Sequence, residues 1–170
     1  MRLFFALWPP AQAARALGEW AQAVQKACGG RATREGAIHL TLAFLGDADP
    51  MKASAAGRKV KGRAFDFPLD AARYWPHNRI VWIGPQRTPD ALADLVLQLH
   101  DALRSGGLVL EDRPFAAHVT LIRKAGNPLA IPALPAVSWP AAEFLLVRSK
   151  RSSTGSAYEA IERFPLAARG

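Results

Sequence analysis

Two short segments of this 170-residue chain pair a titratable ring with a hydroxyl at the same spacing: His39-Leu40-Thr41-Leu42 and His118-Val119-Thr120-Leu121. Both follow the pattern His-aliphatic-Thr-Leu, and they stand 118 − 39 = 79 residues apart. In a β-strand, side chains at i and i+2 share a face. His39 and Thr41 therefore project together, while Leu40 and Leu42 point to the other side, toward a core. His118 with Thr120, and Val119 with Leu121, repeat the arrangement. Packing gives a buried strand no reason to alternate a ring and a hydroxyl on one face, and chance accounts poorly for two copies.

If the two strands lie side by side about a pseudo-two-fold axis, two imidazoles and two hydroxyls converge on one cleft. That set suits a phosphodiester. A neutral imidazole can take a proton from a nucleophile while an imidazolium gives one to the leaving oxygen. The hydroxyls can donate to the non-bridging oxygens, where charge builds in the transition state. Histidine fits both roles because its ordinary pKa, about 6.5, makes both forms accessible near neutrality.

The remaining histidines read as structural. His77 falls in the turn Trp75-Pro76-His77-Asn78, and His100 sits at the edge of an apolar helical stripe. No Cys-x-x-Cys or His-Glu-x-x-His spacing occurs and threonine is a poor zinc ligand, so no metal site is expected. Gly84-Pro85 and Gly106-Gly107 lack the surroundings of a phosphate loop and read as turns.

The elements that must position the motifs alternate between strand and helix. Residues 2–8 read as a strand buried on both faces. Pro10 opens a helix in which Leu17, Trp20, Ala21, Val24 and Cys28 recur at helical spacing, and Gly29-Gly30 stop it. Residues 38–45 form the first motif strand, closed by Gly46, and 51–62 are weakly helical with Lys52, Arg58, Lys59 and Lys61. Strands at 65–73 and 79–84 flank the turn at 75–78. Thr88-Pro89-Asp90 starts a helix whose stripe is Leu92, Leu95, Val96, Leu99 and Leu103, ended by Gly106-Gly107. Strands at 116–122, 142–149 and 157–163 follow, with the Pro-rich 127–140 as an ordered loop. Hairpin-length links between neighbouring strands favour α+β with mainly antiparallel sheet over a doubly wound parallel sheet. The chain looks like two related halves, each with a strand that begins at a histidine, within one domain spanning residues 1–170.

Composition fits that reading. Lys plus Arg (22) minus Asp plus Glu (14) gives +8, a balance that favours polyanions as partners. A single cysteine, Cys28, cannot form an internal disulfide, which suits a reducing cytoplasm. The apolar Leu3–Trp8 is too short for a signal-peptide core and meets Pro9-Pro10 at once, and no run reaches the roughly 20 residues of a membrane span.

At the level of whole segments the chain resembles the 2H phosphoesterases, and among them the RNA 2′,3′-cyclic phosphodiesterases also called 2′-5′ RNA ligases. The likeness rests on Arg2-Leu3-Phe4-Phe5-Ala6-Leu7-Trp8-Pro9, on Ile38–Gly46, on Val81-Trp82-Ile83-Gly84, and on Arg113-Pro114-Phe115 ahead of His118–Arg123. It implies two pseudo-symmetric lobes of mainly antiparallel sheet around a central cleft, helices outside, with neither metal nor cofactor. It implies that His39 protonates the leaving 3′ oxygen, that His118 activates water, that Arg123 meets the phosphate and that Phe44 stacks on the terminal base. Simple alternation puts Phe44 and Arg123 on the opposite face from the histidines, so each can serve only if its strand bends. Two departures stand out: Ala117 replaces a frequent proline, and the basic segment 51–63 lacks a strong helical pattern.

The implied activity is hydrolysis of an RNA 2′,3′-cyclic phosphate end to a 2′-phosphate by a cytoplasmic monomer. tRNA and small cyclic nucleotides such as ADP-ribose cyclic phosphate stay open as substrates. A ribose hydroxyl in place of water would give 2′-5′ ligation at the same site. A non-catalytic RNA-end-binding module is the alternative, but binding alone is better served by permanently charged Arg or Lys than by two histidines. Arg148, Lys150 and Arg151, interleaved with serines, read equally as a grip on RNA phosphates and as a solvated loop.

Overall fold

A computed structural model describes residues 1–126, 131–153 and 155–169. Ten strands and three α-helices are found among them. β1 (Arg2–Leu7), α1 (Ala11–Cys28) and β3 (Leu40–Asp47) form a first strand-helix-strand unit, with β2 (Arg31–Ala32) between helix and second strand. β6 (Ile80–Gly84), α3 (Asp90–Ser105) and β7 (Val119–Arg123) form the second. In each unit the two strands pair antiparallel. The remaining elements are α2 (Pro50–Arg58), β4 (Phe65–Asp66), β5 (Ala71–Trp75), β8 (Pro140–Ala141), β9 (Glu143–Ser152) and β10 (Gly155–Pro165).

Two four-stranded sheets result, ordered β10-β9-β1-β3 and β2-β7-β6-β5, and β4 pairs with β8. The fold is α+β with antiparallel sheets. The helices interlock the halves: α1, which follows a strand of the first sheet, packs on β7 and β2 of the second, while α3 crosses back onto β3. Their stripes, Leu17, Trp20, Ala21 and Val24 on α1 and Leu92, Leu95, Val96, Leu99 and Leu103 on α3, are buried at these contacts. One large apolar core therefore runs through both sheets; a smaller cluster of Phe4, Ala6, Leu145 and Val147 covers part of the other face of the first sheet, on the side of the cleft.

Departures from the expected elements are local. Each motif strand begins one residue after its histidine, so His39 and His118 stand at the strand entrances rather than within them. The basic segment forms only α2, which ends at Arg58, where the guanidinium pairs with Glu162 of β10. Residues 127–130 of the Pro-rich stretch lie outside the described residues; 131–139 carry no regular structure, and Pro140-Ala141 make β8. The run at 148–151 is part of β9, not a loop. β2 has no periodicity to betray it, since it is two residues long. It depends on Gly30, whose φ is +87° and whose added Cβ would lie 2.5 Å from the Arg123 carbonyl oxygen. Among the described residues no helix is long and apolar enough to cross a membrane.

Candidate active site

The histidines are anchored in the same way. His39 Nδ1 lies 2.7 Å from the Ala37 carbonyl oxygen and His118 Nδ1 lies 2.8 Å from that of Ala116, in each case two residues upstream. A carbonyl only accepts, so each Nδ1 carries a hydrogen and donates it. Nε2 is then the nitrogen left for chemistry on both rings, an acceptor when neutral and a donor when charged.

Both rings line one cavity of about 370 Å³ together with Thr41, Thr120 and Arg123. Five of the six residues singled out in the sequence thus meet in one place. Phe44 does not line that cavity; it lies between two adjoining ones, the first shared with Trp75, His77 and His118 and the second with Arg2, Ser149 and Arg151. It is 43 % exposed, with the Arg2 guanidinium 5.5 Å from its ring centroid. No residue of the basic segment 51–62 lines these cavities.

The bends that Phe44 and Arg123 require are present in both motif strands. On β3, Thr41 pairs with Ala6 but Ala43 pairs with Phe5, which leaves Leu42 as an extra residue, and Phe44 pairs with Phe4. Directly paired residues share a face, as do Phe4 and Ala6 two apart, so Phe44 lies on the Thr41 side. On β7, Thr120 pairs with Trp82 and Ile122 with Val81, leaving Leu121 extra and turning Arg123 onto the Thr120 side. Each bulge falls directly after the threonine, and each re-aims the fifth residue after its histidine (44 − 39 and 123 − 118). Hydrogen bonds brace both. His100 Nε2 donates to the Leu42 carbonyl at 2.9 Å, and Thr33 Oγ1 donates to the Thr120 carbonyl at 3.0 Å.

Aromatic rings enclose the imidazoles. Trp8 stacks on His39 at 4.7 Å between centroids, Phe4 lies at 5.0 Å and Tyr158 meets it edge-on at 5.3 Å. Trp75 packs edge-on against His118 at 4.6 Å. Burial lowers the His39 pKa to about 4, against the pull of the Ala37 carbonyl; the charges of Arg123 and His118 push the same way. His118 is also lowered, first by burial and then by Arg123 and Arg113, with the Ala116 carbonyl opposing. Near pH 7 both rings are therefore neutral in these surroundings, and an anion held between them would raise both.

Known proteins resemble this chain over almost its whole length. The family described as LigT like phosphoesterase matches residues 7–82. An RNA 2′,3′-cyclic phosphodiesterase of Escherichia coli (strain K12) is 33 % identical over 171 residues, covering 97 % of this chain and 96 % of the relative. The chain belongs to the LigT-like phosphoesterases, within the 2H superfamily. A Thermus thermophilus relative of the same name is 33 % identical over 184 residues, covering 98 % of this chain and 90 % of its own. The solved structure of E. coli LigT complexed with 3′-AMP superposes with a TM-score of 0.87 at 31 % identity, over 97 % of both chains. Like these phosphoesterases, the chain is an enzyme of the hydrolase class.

The sequence reasoning missed the aromatic walls. Trp8 sits at the end of a stretch quoted only for its overall likeness, and Tyr158 and Trp75 come from strands far from either motif. Their common signal, an aromatic on or just past a strand that borders the cleft, emerges only once strand order is known.

Proposed function

We propose that the cleft hydrolyses RNA 2′,3′-cyclic phosphate ends to 2′-phosphate ends, with the unit of function being the whole 1–170 stretch. The carrying observation is the matched pair of imidazoles, each with Nδ1 tied to a backbone carbonyl and both lining one cavity with Arg123. The E. coli and T. thermophilus relatives named RNA 2′,3′-cyclic phosphodiesterase support the substrate class.

Water attacks phosphorus and gives its proton to His118 Nε2. The bond from phosphorus to O3′ breaks on the opposite side, as in-line displacement requires, and O3′ takes the proton of His39 Nε2. Thr41 and Thr120 donate to the non-bridging oxygens, and Arg123 balances their charge. Burial keeps His118 neutral, as a base must be. The same effect opposes the acid role of His39, which at a pKa of about 4 carries little charge on its own. The substrate resolves this: its phosphate supplies the negative charge that lets His39 hold a proton, so the acid forms only where there is a phosphate to cleave. Two imidazoles cover both proton transfers, and the reaction needs no metal.

The test is to incubate the purified protein with a cyclic-phosphate-ended oligonucleotide in EDTA and chromatograph the products against authentic 2′- and 3′-nucleotides. A 2′-phosphate is expected. A 3′-phosphate would mean that the histidines exchange roles or that the substrate binds the other way round.

A further inference from the structure

Arg31 and Arg123 are direct cross-strand partners of β2 and β7, so their side chains stand next to each other on the cleft face. Like charges placed opposite each other repel unless an anion lies between them. Both line the central cavity, and so does Arg34. Among the described residues, none that lines this cavity is a carboxylate, and none forms an ion pair with any of the three arginines. Glu35 follows Arg34 in sequence but lies against Gly18 of α1, outside the cavity lining. Arg34 is held in place: its Nη2 donates to the Ser156 carbonyl of β10 at 2.7 Å, a bond that joins the second sheet's loop to the first sheet. Its other N–H groups remain for a ligand.

From these positions we infer that Arg31 and Arg34 form a second phosphate subsite, which takes the phosphodiester one nucleotide upstream of the reacting cyclic phosphate. The inference rests on the hydrolysis proposed above and specifies its substrate as an RNA end rather than a mononucleotide. Arg123 is the direct neighbour of Arg31 and lines the same cavity as the histidines, so adjoining arginines serve two phosphates in sequence. The cleft is divided accordingly. Its opposite side carries Phe44, Trp75 and Phe115, an aromatic surface suited to a base. A terminal nucleotide with its base on the Phe44 side and its reacting phosphate at the histidines has its 5′ phosphate left to place, and Arg31 and Arg34 offer it positive charge in the same cavity as the histidines, with no carboxylate in that lining. A pyrophosphate within a small nucleotide offers similar chemistry, and the experiment separates the two.

The experiment compares kcat/KM for four substrates: uridine 2′,3′-cyclic phosphate, a dinucleotide with the same cyclic end, that dinucleotide with a neutral methylphosphonate linkage, and ADP-ribose 1″,2″-cyclic phosphate. Each ratio is formed on one preparation, so a loss of folded enzyme cancels. The dinucleotide is expected to exceed the mononucleotide by about tenfold, the scale of two partly exposed ion pairs. The methylphosphonate should behave like the mononucleotide, and in Arg31→Gln/Arg34→Gln the ratio should fall toward one. Equal rates for the charged and neutral dinucleotides, or an unchanged ratio in the variant, would overturn the subsite. So would a preference for ADP-ribose cyclic phosphate that the variant abolishes, since it would assign the arginines to a small-molecule pyrophosphate. If no substrate turns over, the hydrolysis proposal fails, and the same ratios measured as binding affinities still decide the subsite.

Discussion

Trp8 lies flat against His39, with ring planes 11° from parallel and centroids 4.7 Å apart. The contact joins the end of β1 to the entrance of β3 and shuts one face of the imidazole off from water. Trp8→Leu should admit water to that face and move the His39 pKa from about 4 back toward 6.5. Turnover should fall roughly tenfold or more, because the ring also loses the wall that sets its orientation. Ring-proton NMR titration measures the first effect. A pKa that stays near 4 in the variant would show that enclosure by Trp8 is not its cause.

His39→Ala and His118→Ala should each lower turnover by roughly 10²–10⁴-fold, the usual range for a general acid or base. The double variant should lose less than the product of the two factors, since the groups act as one unit. Thr41→Val and Thr120→Val should cost less, with the loss in kcat if the hydroxyls favour the transition state over the ground state. Steady-state kinetics on one cyclic-phosphate substrate gives all five values, and independent losses in the double variant would argue against a shared step.

The low histidine pKa values also set the pH response. Activity needs His39 charged and His118 neutral, so the profile should be bell-shaped. The alkaline limb of kcat/KM reports the free enzyme and should lie below that of kcat, because bound phosphate raises His39. Stability follows with a definite sign. His39 is about 4 when folded and 6.5 when unfolded, so between those values the unfolded chain binds more protons. Stability from this residue is full above pH 6.5 and falls as pH drops toward 4, by on the order of 2–3 kcal/mol. Denaturant midpoints at pH 7 and pH 4.5 test this, and His39→Gln should remove its share of the difference.

Much of the site is visible in the spacing of His39 to Thr41 and of His118 to Thr120, because strand alternation needs no tertiary information. The same rule misplaces Phe44 and Arg123, since it carries no signal for a bulge. Leu42-Ala43 and Leu121-Ile122 are adjacent apolar pairs, equally consistent with a strand buried on both faces; only the pairing with β1 and β6 reveals the extra residue. The crossing of α1 and α3 between sheets is likewise hidden, because an amphipathic stripe says that a helix is covered and not by which sheet. Arg31 goes unnoticed in the chain for a related reason: its meaning comes from its partner, Arg123.

Chelator and salt should separate chemistry from capture. EDTA should leave turnover intact, whereas loss restored by Zn²⁺ or Mn²⁺ would overturn the two-imidazole mechanism. Rising salt should weaken binding of long RNA, given a net charge of +8. For Arg31→Gln/Arg34→Gln, the slope of log affinity against log salt should drop by about 0.7 if a single upstream phosphate contact is lost.

His100 offers a test of the β3 bulge itself. Its Nε2–H reaches the Leu42 carbonyl at the extra residue, so α3 clamps the bend that brings Phe44 onto the histidine face. His100→Leu keeps an apolar side chain at the edge of the α3 stripe but removes the donor, leaving that carbonyl without its partner from α3. The bulge should loosen and Phe44 should stack less well, at a cost within the roughly 1–3 kcal/mol that a stacked base is worth. KM for a nucleoside 2′,3′-cyclic phosphate should therefore rise several-fold. KM for a ribose cyclic phosphate that lacks the base should stay near the wild-type value, because the histidines and Arg123 are not held by this bond. His100→Gln retains an N–H donor and should recover part of the difference. Equal losses on the substrates with and without a base would assign His100 to general packing and detach the bulge from base recognition.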